Sequence, residues 1–575
     1  MENSEFAKVF ANLAELLELK NGNYFKVRAY QKAALNIGNF AGNLESVYKQ
    51  GGLAELKNIP GIGENIAEHI EEIIKTGKIK KYAALVKEFP PNFIALMEVP
   101  GLGPKTALLL KKKLKIDSLE KLRKALAQGR LKNLPGFKAK KIENVKQGLE
   151  LKARVKGRFL ISEAGQYAEA IVAQLKKVKA IDRILPAGSY RRGQETIGDI
   201  DLLVTSQKPG LVMEAFTSLP QVARVQVKGP TRASVILKNG LQADLRVLAP
   251  GNFGAAAHYF TGNKQHNIMI RELAIKKGLK ISEYGVMKGG QRIAGKTEEE
   301  VFKAVGLPYI PPELRQGNDE FEAAKAGKLP DLIELEDIRG DLHTHTNHSD
   351  GGNTIEEMAA AAKELGYEYL AITDHTRSTR VARGQTEKEL LAELAEIDKI
   401  NARLKDFRLL KGAEVDIRPD GSLDFSDEIL KQLDVVTASV HSNFGMPRET
   451  MTQRIVKALE NKFVNVLSHP TGRLIGQREP YEADIEKIIK TAKETGTYLE
   501  VNSYPDRLDL SDVHCRRAKA EGVKLAINTD AHAFSQLKLM KYGIMTARRG
   551  WLEKADVINT RPLAKLLKLL YAKRK

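Results

Sequence analysis

The spacing of apolar and polar positions divides the chain into three regions. Residues 1–150 place apolar side chains at helical spacing with almost no alternation, which predicts short helices separated by glycine-containing turns. From Phe159 onward the pattern predicts a helix over residues 166–177, followed by strands over residues 199–204, 233–237 and 241–248. Beyond residue 340, short apolar strands alternate with helices, which favours a mainly parallel α/β layout.

One short turn motif recurs in the helical region. A Pro-Gly-x-Gly turn followed by a helical pattern occurs at residues 60–63 and 100–103, and a weaker copy at 135–138 has Lys138 in place of the second glycine. Such a turn exposes backbone N–H groups at a helix N-terminus, where a phosphate can bind. A generic helical hairpin is the alternative, but three copies in a lysine-rich segment favour phosphate binding. The candidate contacts are the glycines of the first two turns, Gly61, Gly63, Gly101 and Gly103.

Three carboxylates mark a candidate metal site in the second region. Asp199 and Asp201 are two residues apart on a predicted strand, so their side chains share one face. Like charges on an apolar strand repel each other and cost desolvation, a conflict that divalent cations resolve. With Asp244 on a second strand, three carboxylates can hold two Mg²⁺ or Mn²⁺ ions for in-line displacement at phosphorus. An exposed acidic edge strand is the alternative, but the glycine, serine and arginines of residues 188–192 suit a phosphate and favour the metal site.

Histidines and carboxylates recur at the ends of strands in the third region. Six of its seven predicted strands finish in His, Asp or Glu, on the rim where α/β barrels hold their active sites. His343 and His345 are two residues apart and can bind one metal ion, whereas His348 and His514 have no such support and are expected at the surface. Nine candidate ligands suit a cluster of two or three ions, and mixed imidazole and carboxylate favours Zn²⁺, Mn²⁺ or Fe over Ca²⁺. They are His343, His345, Asp350, His375, Glu414, His441, His469, Asp530 and His532.

Composition narrows the class of protein. Hydrophobic residues at 42% and charged residues at 29% are ordinary for a globular protein and exclude a largely disordered chain. No run approaches the ~18 consecutive apolar residues of a membrane span, and residues 1–20 lack the basic-then-apolar order of a signal peptide. The single cysteine, Cys515, excludes an internal disulfide. We expect a cytoplasmic protein without a membrane partner.

The net charge of +20 belongs to the first part of the chain. Residues 1–317 carry 52 Lys and Arg against 30 Asp and Glu, whereas residues 318–575 carry 40 against 42. A one-sided excess of this kind suits a polyanion, because neutralised phosphates release counterions. A solvated basic surface is the alternative reading of the charge alone.

Together these motifs resemble the family X DNA polymerases. Residues 188–201 are similar to their palm, residues 259–285 to their thumb, and the repeated turns to the helix-hairpin-helix, which binds the DNA backbone without reading bases. The resemblance covers residues 1–317 and implies addition of deoxynucleotides to a 3′ end of gapped or primed double-stranded DNA. It implies nucleotide contacts from Gly188, Ser189, Arg192, Gly198, Tyr259, Phe260, Gly262, Lys264 and Asn267. It implies DNA contacts from Lys26, Tyr30, Lys32, Lys105 and Arg271.

Three residues depart from the eukaryotic pattern of that family. Gln242 replaces an arginine beside the third aspartate and Lys264 replaces an acidic residue near the nucleotide, which bears on nucleotide affinity rather than on the reaction. His69 replaces the lysine that relatives with 5′-deoxyribose-phosphate lyase activity use as a nucleophile. The resemblance therefore implies 5′-phosphate binding with little or no lyase chemistry.

The strand-end pattern resembles the PHP (polymerase and histidinol phosphatase) domain, a seven-stranded barrel with a trinuclear metal site. All nine ligand positions of that family are present, which implies an active phosphoesterase with a Zn²⁺ or Mn²⁺ cluster. The family activity is a Mn²⁺-dependent 3′–5′ exonuclease, sometimes with abasic-site endonuclease or 3′-phosphatase action. The resemblance groups the ligands as His343, His345, Glu414 and Asp530; Glu414, His441 and His469; and Asp350, His375 and His532.

We expect a multi-domain α/β protein in five segments. Residues 1–150 form helix-hairpin-helix DNA-binding domains, 151–248 a nucleotidyltransferase palm, 249–317 a small α+β thumb, 318–340 a linker, and 341–575 the seven-stranded PHP barrel.

The sequence thus predicts a monomeric, gap-filling DNA polymerase of base-excision repair with deoxynucleoside triphosphates as substrates and a second, exonucleolytic site. Two alternatives stay open. One is a template-independent nucleotidyltransferase fused to a small-molecule phosphatase, against which the basic helix-hairpin-helix array argues. The other is a catalytically idle DNA-end scaffold, against which the intact carboxylates and metal ligands argue.

Overall fold

The N-terminal region is built from helices. The computed structural model describes residues 3–20, 24–39, 44–59, 62–89, 93, 96, 99, 102, 104–138, 141–143, 145–146, 149 and 157–574. The helices before residue 130 are Asn3–Leu19, Tyr24–Asn39, Leu44–Lys57, Glu64–Thr76, Lys80–Glu88, Pro104–Leu114 and Leu119–Ala127. Their apolar faces, with Phe10, Ile70 and Leu110 among the buried side chains, meet in one core. The helical spacing of the sequence therefore corresponds to a common buried face.

A five-stranded sheet follows and carries the three aspartates. Its strands, in spatial order, are Arg183–Pro186, Asp199–Thr205, Gln242–Leu248, Arg232–Leu237 and Val222–Lys228. The two central strands are parallel and place Asp201 directly opposite Asp244. Helices Ile161–Leu175, Gly188–Arg191 and Pro209–Thr217 accompany this sheet, and Phe159–Leu160 pairs with Thr196–Ile197.

The next unit is smaller and mixed. It contains helices Phe253–Thr261, Lys264–Lys276 and Glu298–Ala304 and the antiparallel strands Lys280–Ser282, Gly285–Lys288 and Gln291–Ala294. Its core reaches into the expected linker: the helix Glu320–Lys325 buries Phe321 and Ala324 there. The buried Glu320 carboxylate lies 3.0 Å from Nδ1 of His266. The first part of the expected linker is thus packed against the small unit, whereas Ile333 and Ile338 belong to the core of the barrel.

The C-terminal unit is a seven-stranded parallel barrel. Its strands lie side by side in chain order: Gly340–Asp341, Tyr369–Ile372, Arg408–Asp416, Val435–Ser439, Val466–Leu467, Tyr498–Asn502 and Leu525–Asn528. Its helices are Ile355–Glu364, Glu387–Asn401, Asp427–Leu430, Arg448–Leu459, Ile485–Thr495, Asp512–Glu521, Met540–Arg549 and Leu563–Ala572. Capping boxes, Thr354 with Glu357 and Thr386 with Glu389, start two of them.

Backbone hydrogen bonds close the barrel between its first and last strands. The N–H of His345 donates to the carbonyl of Ala531 over 2.8 Å, and the N–H of Asp530 donates to the carbonyl of His343 over 3.0 Å. Alternate residues of the strands, with Tyr369 and Leu410 among them, face an inner core. The helix Leu563–Ala572 also contributes side chains to this core. The fold class expected from the sequence is confirmed. Within the described residues, no helix combines the length and apolar character needed to cross a bilayer.

Candidate active sites

The three aspartates converge at the edge of the central sheet. Oxygen atoms of Asp199, Asp201 and Asp244 lie within 4.8 Å of one another. Gln242 donates to both oxygens of Asp244, over 3.2 and 3.1 Å, and Ser234 also donates to it. Gln242 therefore orients the third aspartate by hydrogen bonds and does not supply the charge that an arginine would.

Electrostatics at this edge favour a bound cation. Burial, together with the neighbouring carboxylates of Asp199 and Asp244, raises the pKa of Asp201 to about 7. Burial and Asp244 also raise the pKa of Asp199. Divalent cations prefer carboxylate oxygens and would relieve this repulsion, so the residues present fit Mg²⁺ or Mn²⁺.

Asp199 and Asp201 line a polar cavity of about 500 Å³. Every nucleotide contact expected from the sequence lines it, namely Gly188, Ser189, Arg192, Gly198, Tyr259, Phe260, Gly262, Lys264 and Asn267. Asn267 donates to the carbonyl of Tyr259 over 2.7 Å, and the exposed Arg271 donates to the carbonyl of Asn267 over 3.0 Å. Arg192 donates to the carbonyl of Thr261, which ties the two sides of the cavity together.

Gly188 has a steric reason for being glycine. Its φ is +59°, and a Cβ there would lie 2.1 Å from Oδ2 of Asp201. The backbone can therefore pass directly beside the metal-binding carboxylates only without a side chain.

Some lining residues are not evident from the sequence. Arg158, Gln194, Asn263 and Gln316 also face the cavity. Arg158 donates to the hydroxyl of Thr196 over 2.8 Å, and Asn263 donates to the carbonyl of Gln316 over 2.8 Å. Arg158 precedes the first strand of the sheet unit and Gln316 follows the helix Glu298–Ala304 of the smaller unit, so no local motif connects either residue to the aspartates.

Of the four candidate glycines in the helix-hairpin-helix turns, Gly63 is the one that the structure describes. Gly61, Gly101 and Gly103 lie outside the described residues, and so does the side chain of Lys105. Gly63 is extended, with φ −84°, and directly precedes the helix Glu64–Thr76, as a phosphate-binding turn requires.

The expected 5′-phosphate contacts surround the His69 position. Lys26 and Lys32 are exposed, whereas Tyr30 is buried. The hydroxyl of Tyr30 lies 3.0 Å from Nε2 of His69 and accepts a hydrogen bond from Lys81 over 3.2 Å. Burial and the nearby Lys81 ammonium lower the pKa of His69, so its imidazole is neutral at pH 7.

The nine strand-end residues of the barrel form one cluster at its rim. Three sets of ligand atoms lie within 4.8 Å of one another: His345, Asp350, His375 and His532; His343, His345 and Asp530; and His375, Glu414 and His441. His469 joins them through Nε2, 2.9 Å from Oε1 of Glu414. These sets divide His345 and His375 differently from the grouping that the resemblance implies, so the assignment of ligands to individual ions stays a prediction. His348 and His514 lie outside these sets.

Buried charge in this cluster fits metal cations. Against the effect of burial, the imidazoles of His441, His375 and His343 hold the pKa of Glu414 well below its usual range. Against the same effect, Asp350 and Asp530 raise the pKa of His532 to about 9. Nε2 of His343 and Oε2 of Glu414 face each other at 3.5 Å, and both lack a hydrogen bond. Two such atoms, which face each other without hydrogen bonds, suit a shared cation. The mixture of imidazole nitrogens and carboxylate oxygens suits Zn²⁺ or Mn²⁺.

A carboxylate that sequence reasoning missed supports two of these ligands. Glu500, on the strand Tyr498–Asn502, is fully buried. Its oxygens lie 2.8 Å from Nδ1 of His343 and accept the backbone N–H of His469 over 2.7 Å. Such a carboxylate fixes the tautomer and orientation of a ligating imidazole. Glu500 lies inside its strand, so position at a strand end could not reveal it.

Comparisons with known proteins agree with both sites. Family models match a helix-hairpin-helix domain over residues 1–79, a SAM-like helix-hairpin-helix tandem over 93–152, the DNA polymerase beta palm over 159–246, the DNA polymerase beta thumb over 256–316 and the PHP domain over 341–504.

Relatives cover either the whole chain or one of its parts. The chain is 39% identical over 567 residues, 98% of each protein, to the DNA polymerase/3′-5′ exonuclease PolX of Bacillus subtilis. It is 30% identical over 231 residues, 38% of this chain and 89% of the other, to a probable phosphatase of Thermoanaerobacter sp.. It is 26% identical over 348 residues, 54% of this chain and 62% of the other, to DNA polymerase lambda of Arabidopsis thaliana. The chain therefore belongs to the family X DNA polymerases that carry a C-terminal PHP domain.

Proposed function

We propose that the protein is a DNA-directed DNA polymerase that fills short gaps during base-excision repair and removes 3′ nucleotides with its PHP domain. The observation that carries this proposal is the presence, on one chain, of a carboxylate-lined nucleotide cavity and a nine-ligand metal rim. The full-length relative is named for both activities. The substrates are gapped or primed double-stranded DNA and deoxynucleoside triphosphates, and the protein acts as a monomer.

In the polymerase site, Asp199, Asp201 and Asp244 would hold two Mg²⁺ or Mn²⁺ ions. When bound, such ions would supply charge stabilisation for the attacking and leaving oxygens. The chain provides the positioning: Ser189 and Arg192 bind the triphosphate, with Arg158 facing the same cavity.

The remaining nucleotide contacts come from the opposite wall. Tyr259, Phe260 and Gly262 line the sugar, and Lys264 faces the nucleotide. Asn267 touches the minor-groove edge of the incoming base, and its bond to the Tyr259 carbonyl fixes its orientation. Arg271, exposed one helical turn further on, contacts the template strand.

In the PHP domain, the nine rim residues would hold two or three Zn²⁺ or Mn²⁺ ions, which would supply an activated water for attack on the terminal phosphodiester. Glu414 touches the imidazoles of several strands and would be shared between ions: His375 at 2.8 Å, His469 at 2.9 Å and His441 at 3.3 Å. Abasic-site endonuclease and 3′-phosphatase action use the same centre.

DNA binding falls to the N-terminal helices. Lys112 and Lys113 are exposed at the end of the helix Pro104–Leu114, in the lysine-rich segment that contains the repeated glycine turns. Together with the helix-hairpin-helix turns and Lys105, they contact backbone phosphates without reading the sequence.

One assay tests both activities. A gapped duplex with a 5′-labelled primer is incubated with Mg²⁺ or Mn²⁺, with and without deoxynucleoside triphosphates. We expect extension when nucleotides are present and stepwise shortening with Mn²⁺ when they are absent. A protein that leaves this primer unextended, and that releases only inorganic phosphate from 3′-phosphorylated ends, would instead be the nucleotidyltransferase–phosphatase alternative.

A further inference from the structure

An arginine of the barrel binds the turn beside the nucleotide cavity. Arg473 of the barrel donates to both carboxylate oxygens of Glu195, over 3.3 Å to Oε2 and at closer range to Oε1. Its side chain is 15% exposed and that of Glu195 is 26% exposed, so the pair is shielded from water. A bidentate pair of this kind fixes geometry as well as charge.

Glu195 belongs to the turn that presents the triphosphate-binding residues. Arg192 precedes it and Gly198 follows it, and both line the nucleotide cavity. The N–H of Gln194 donates to the carbonyl of Ser189 over 3.1 Å, and the carbonyl of Glu195 accepts the N–H of Ile161 over 3.1 Å. Movement of Glu195 would therefore be transmitted to Ser189 and Arg192.

On the barrel side, the same guanidinium holds a turn at the metal rim. Nε of Arg473 donates to the carbonyl of Arg507 over 2.8 Å, and Nη2 also donates to the carbonyl of Leu508. The Arg507 guanidinium in turn lies 3.6 Å from the carboxylate of Asp530. One side chain thus bonds to the Glu195 carboxylate beside the nucleotide cavity and to backbone carbonyls beside the metal rim.

We propose that Arg473 is a positioning residue shared by the two sites, and that through Glu195 the PHP domain sets the affinity of the polymerase for deoxynucleoside triphosphates. The inference rests on the proposed function. Arg473 touches neither the nucleotide cavity nor the metal ligands, so its effect is on the geometry of the residues that do. Loss of the pair weakens nucleotide binding without removing any metal-binding carboxylate.

The test compares Glu195→Gln and Arg473→Lys with a matched control. Arg548 of the barrel and Glu313 of the thumb form a second inter-domain pair, bonded over 2.7 and 3.5 Å and exposed to 14% and 13%. We expect Glu195→Gln to raise KM for the nucleotide roughly tenfold with kcat nearly unchanged, and Glu313→Gln to change neither. Glu195→Gln leaves exonuclease activity intact, whereas Arg473→Lys lowers it because the turn at Arg507 loses a hydrogen bond.

Three outcomes overturn the inference while leaving the proposed function in place. They are an unchanged KM in Glu195→Gln, an equal rise in Glu313→Gln, and KM effects that multiply independently in the Glu195→Gln/Arg473→Lys double variant. Glu195→Asp, which keeps the charge and shortens the side chain, should give an intermediate KM and serves if the amide variant folds poorly. Failure of the unmodified protein to extend the primer would refute the proposed function instead.

Discussion

Asp201, which lines the nucleotide cavity, faces Asp244 across two parallel strands of the central sheet, in the same register. Parallel pairing brings these carboxylates together from positions far apart in sequence. The two charges can stay side by side only if a cation or a proton compensates them.

Substitution should separate the two activities. Asp244→Asn weakens the two-metal clamp, so we expect extension to fall by several orders of magnitude with exonuclease activity retained. His343→Ala should have the converse effect. Both rates are measured on the labelled gapped duplex, with the exposed Asp182→Asn and the partly exposed His348→Ala as controls. Loss of both activities in either variant, in a protein that folds, would contradict the two-site assignment.

Glu500 should control metal affinity at the barrel rim. In Glu500→Gln, an amide NH₂ group replaces one of the two carboxylate oxygens that contact His343 and His469. Because an NH₂ group cannot accept a hydrogen bond, the orientations of these two residues relax. We expect Mn²⁺ to bind about 10–100-fold more weakly in calorimetric titrations. Primer extension should persist, and the exposed Glu494→Gln should bind Mn²⁺ like the unmodified protein. Equal Mn²⁺ affinity in the Glu500 variant would refute this role.

Binding to gapped DNA should depend steeply on salt. If 6–10 phosphates are contacted, affinity falls by ~10³–10⁵ between 50 and 200 mM salt. Replacing Lys112 and Lys113 by glutamine should reduce the logarithmic salt slope by about two. Glutamine at the exposed Lys490 and Lys493 of the barrel should leave the slope unchanged. A slope that responds equally to both pairs would contradict the placement of DNA on the N-terminal helices.

Lyase activity should be weak or absent. A Schiff base with an abasic sugar needs a primary amine, and the family resemblance places His69 where lyase-active relatives use lysine. Borohydride trapping on a 5′-deoxyribose-phosphate substrate should therefore give little adduct, and His69→Lys should increase it. A strong adduct in the unmodified protein would contradict this expectation, and its loss in Lys81→Ala would identify the ammonium beside Tyr30 as the amine.

The thumb should lose stability as the pH falls below about 6.5. His258 is fully buried without a hydrogen bond to either ring nitrogen, and burial lowers its pKa well below 6.5. The unfolded chain binds a proton there that the folded protein excludes, so stability falls with pH by up to about 1.4 kcal/mol per unit. Removing this histidine in His258→Leu should narrow the difference in melting temperature between pH 7 and pH 5. The same difference in both proteins would refute the assignment.

Strand-end chemistry made the two sites predictable from sequence. Asp199 and Asp201, and His343 and His345, stand two residues apart on short strands, and local spacing alone predicts that each pair shares a face. The parallel sheet then assembles such pairs at one edge. Six of the seven barrel strands follow the same logic, since their apolar runs end in His, Asp or Glu, whereas the strand Tyr498–Asn502 carries Glu500 inside it.

Other parts of the fold and of the nucleotide cavity depend on tertiary contacts, which the spacing of residues along the sequence does not reveal. The edge strand Val222–Lys228 is almost entirely exposed, so it carries no buried-face pattern. Arg158 and Gln316 enter the nucleotide cavity from opposite ends of the palm and thumb. The helix Glu320–Lys325 was expected as linker because its few apolar residues become buried only through contact with the thumb.

Closure of the barrel by its first and last strands has a consequence for biosynthesis. Ligands of the metal rim extend from His343 to His532, so no fragment of the domain can assemble the complete set. The ribosome finishes the palm carboxylates before it begins the barrel and supplies Asp530 and His532 last among the candidate ligands. A chain that terminates before His532 therefore carries the carboxylates for DNA synthesis but not the full ligand set for excision, and degradation of DNA ends is available only to chains translated beyond His532.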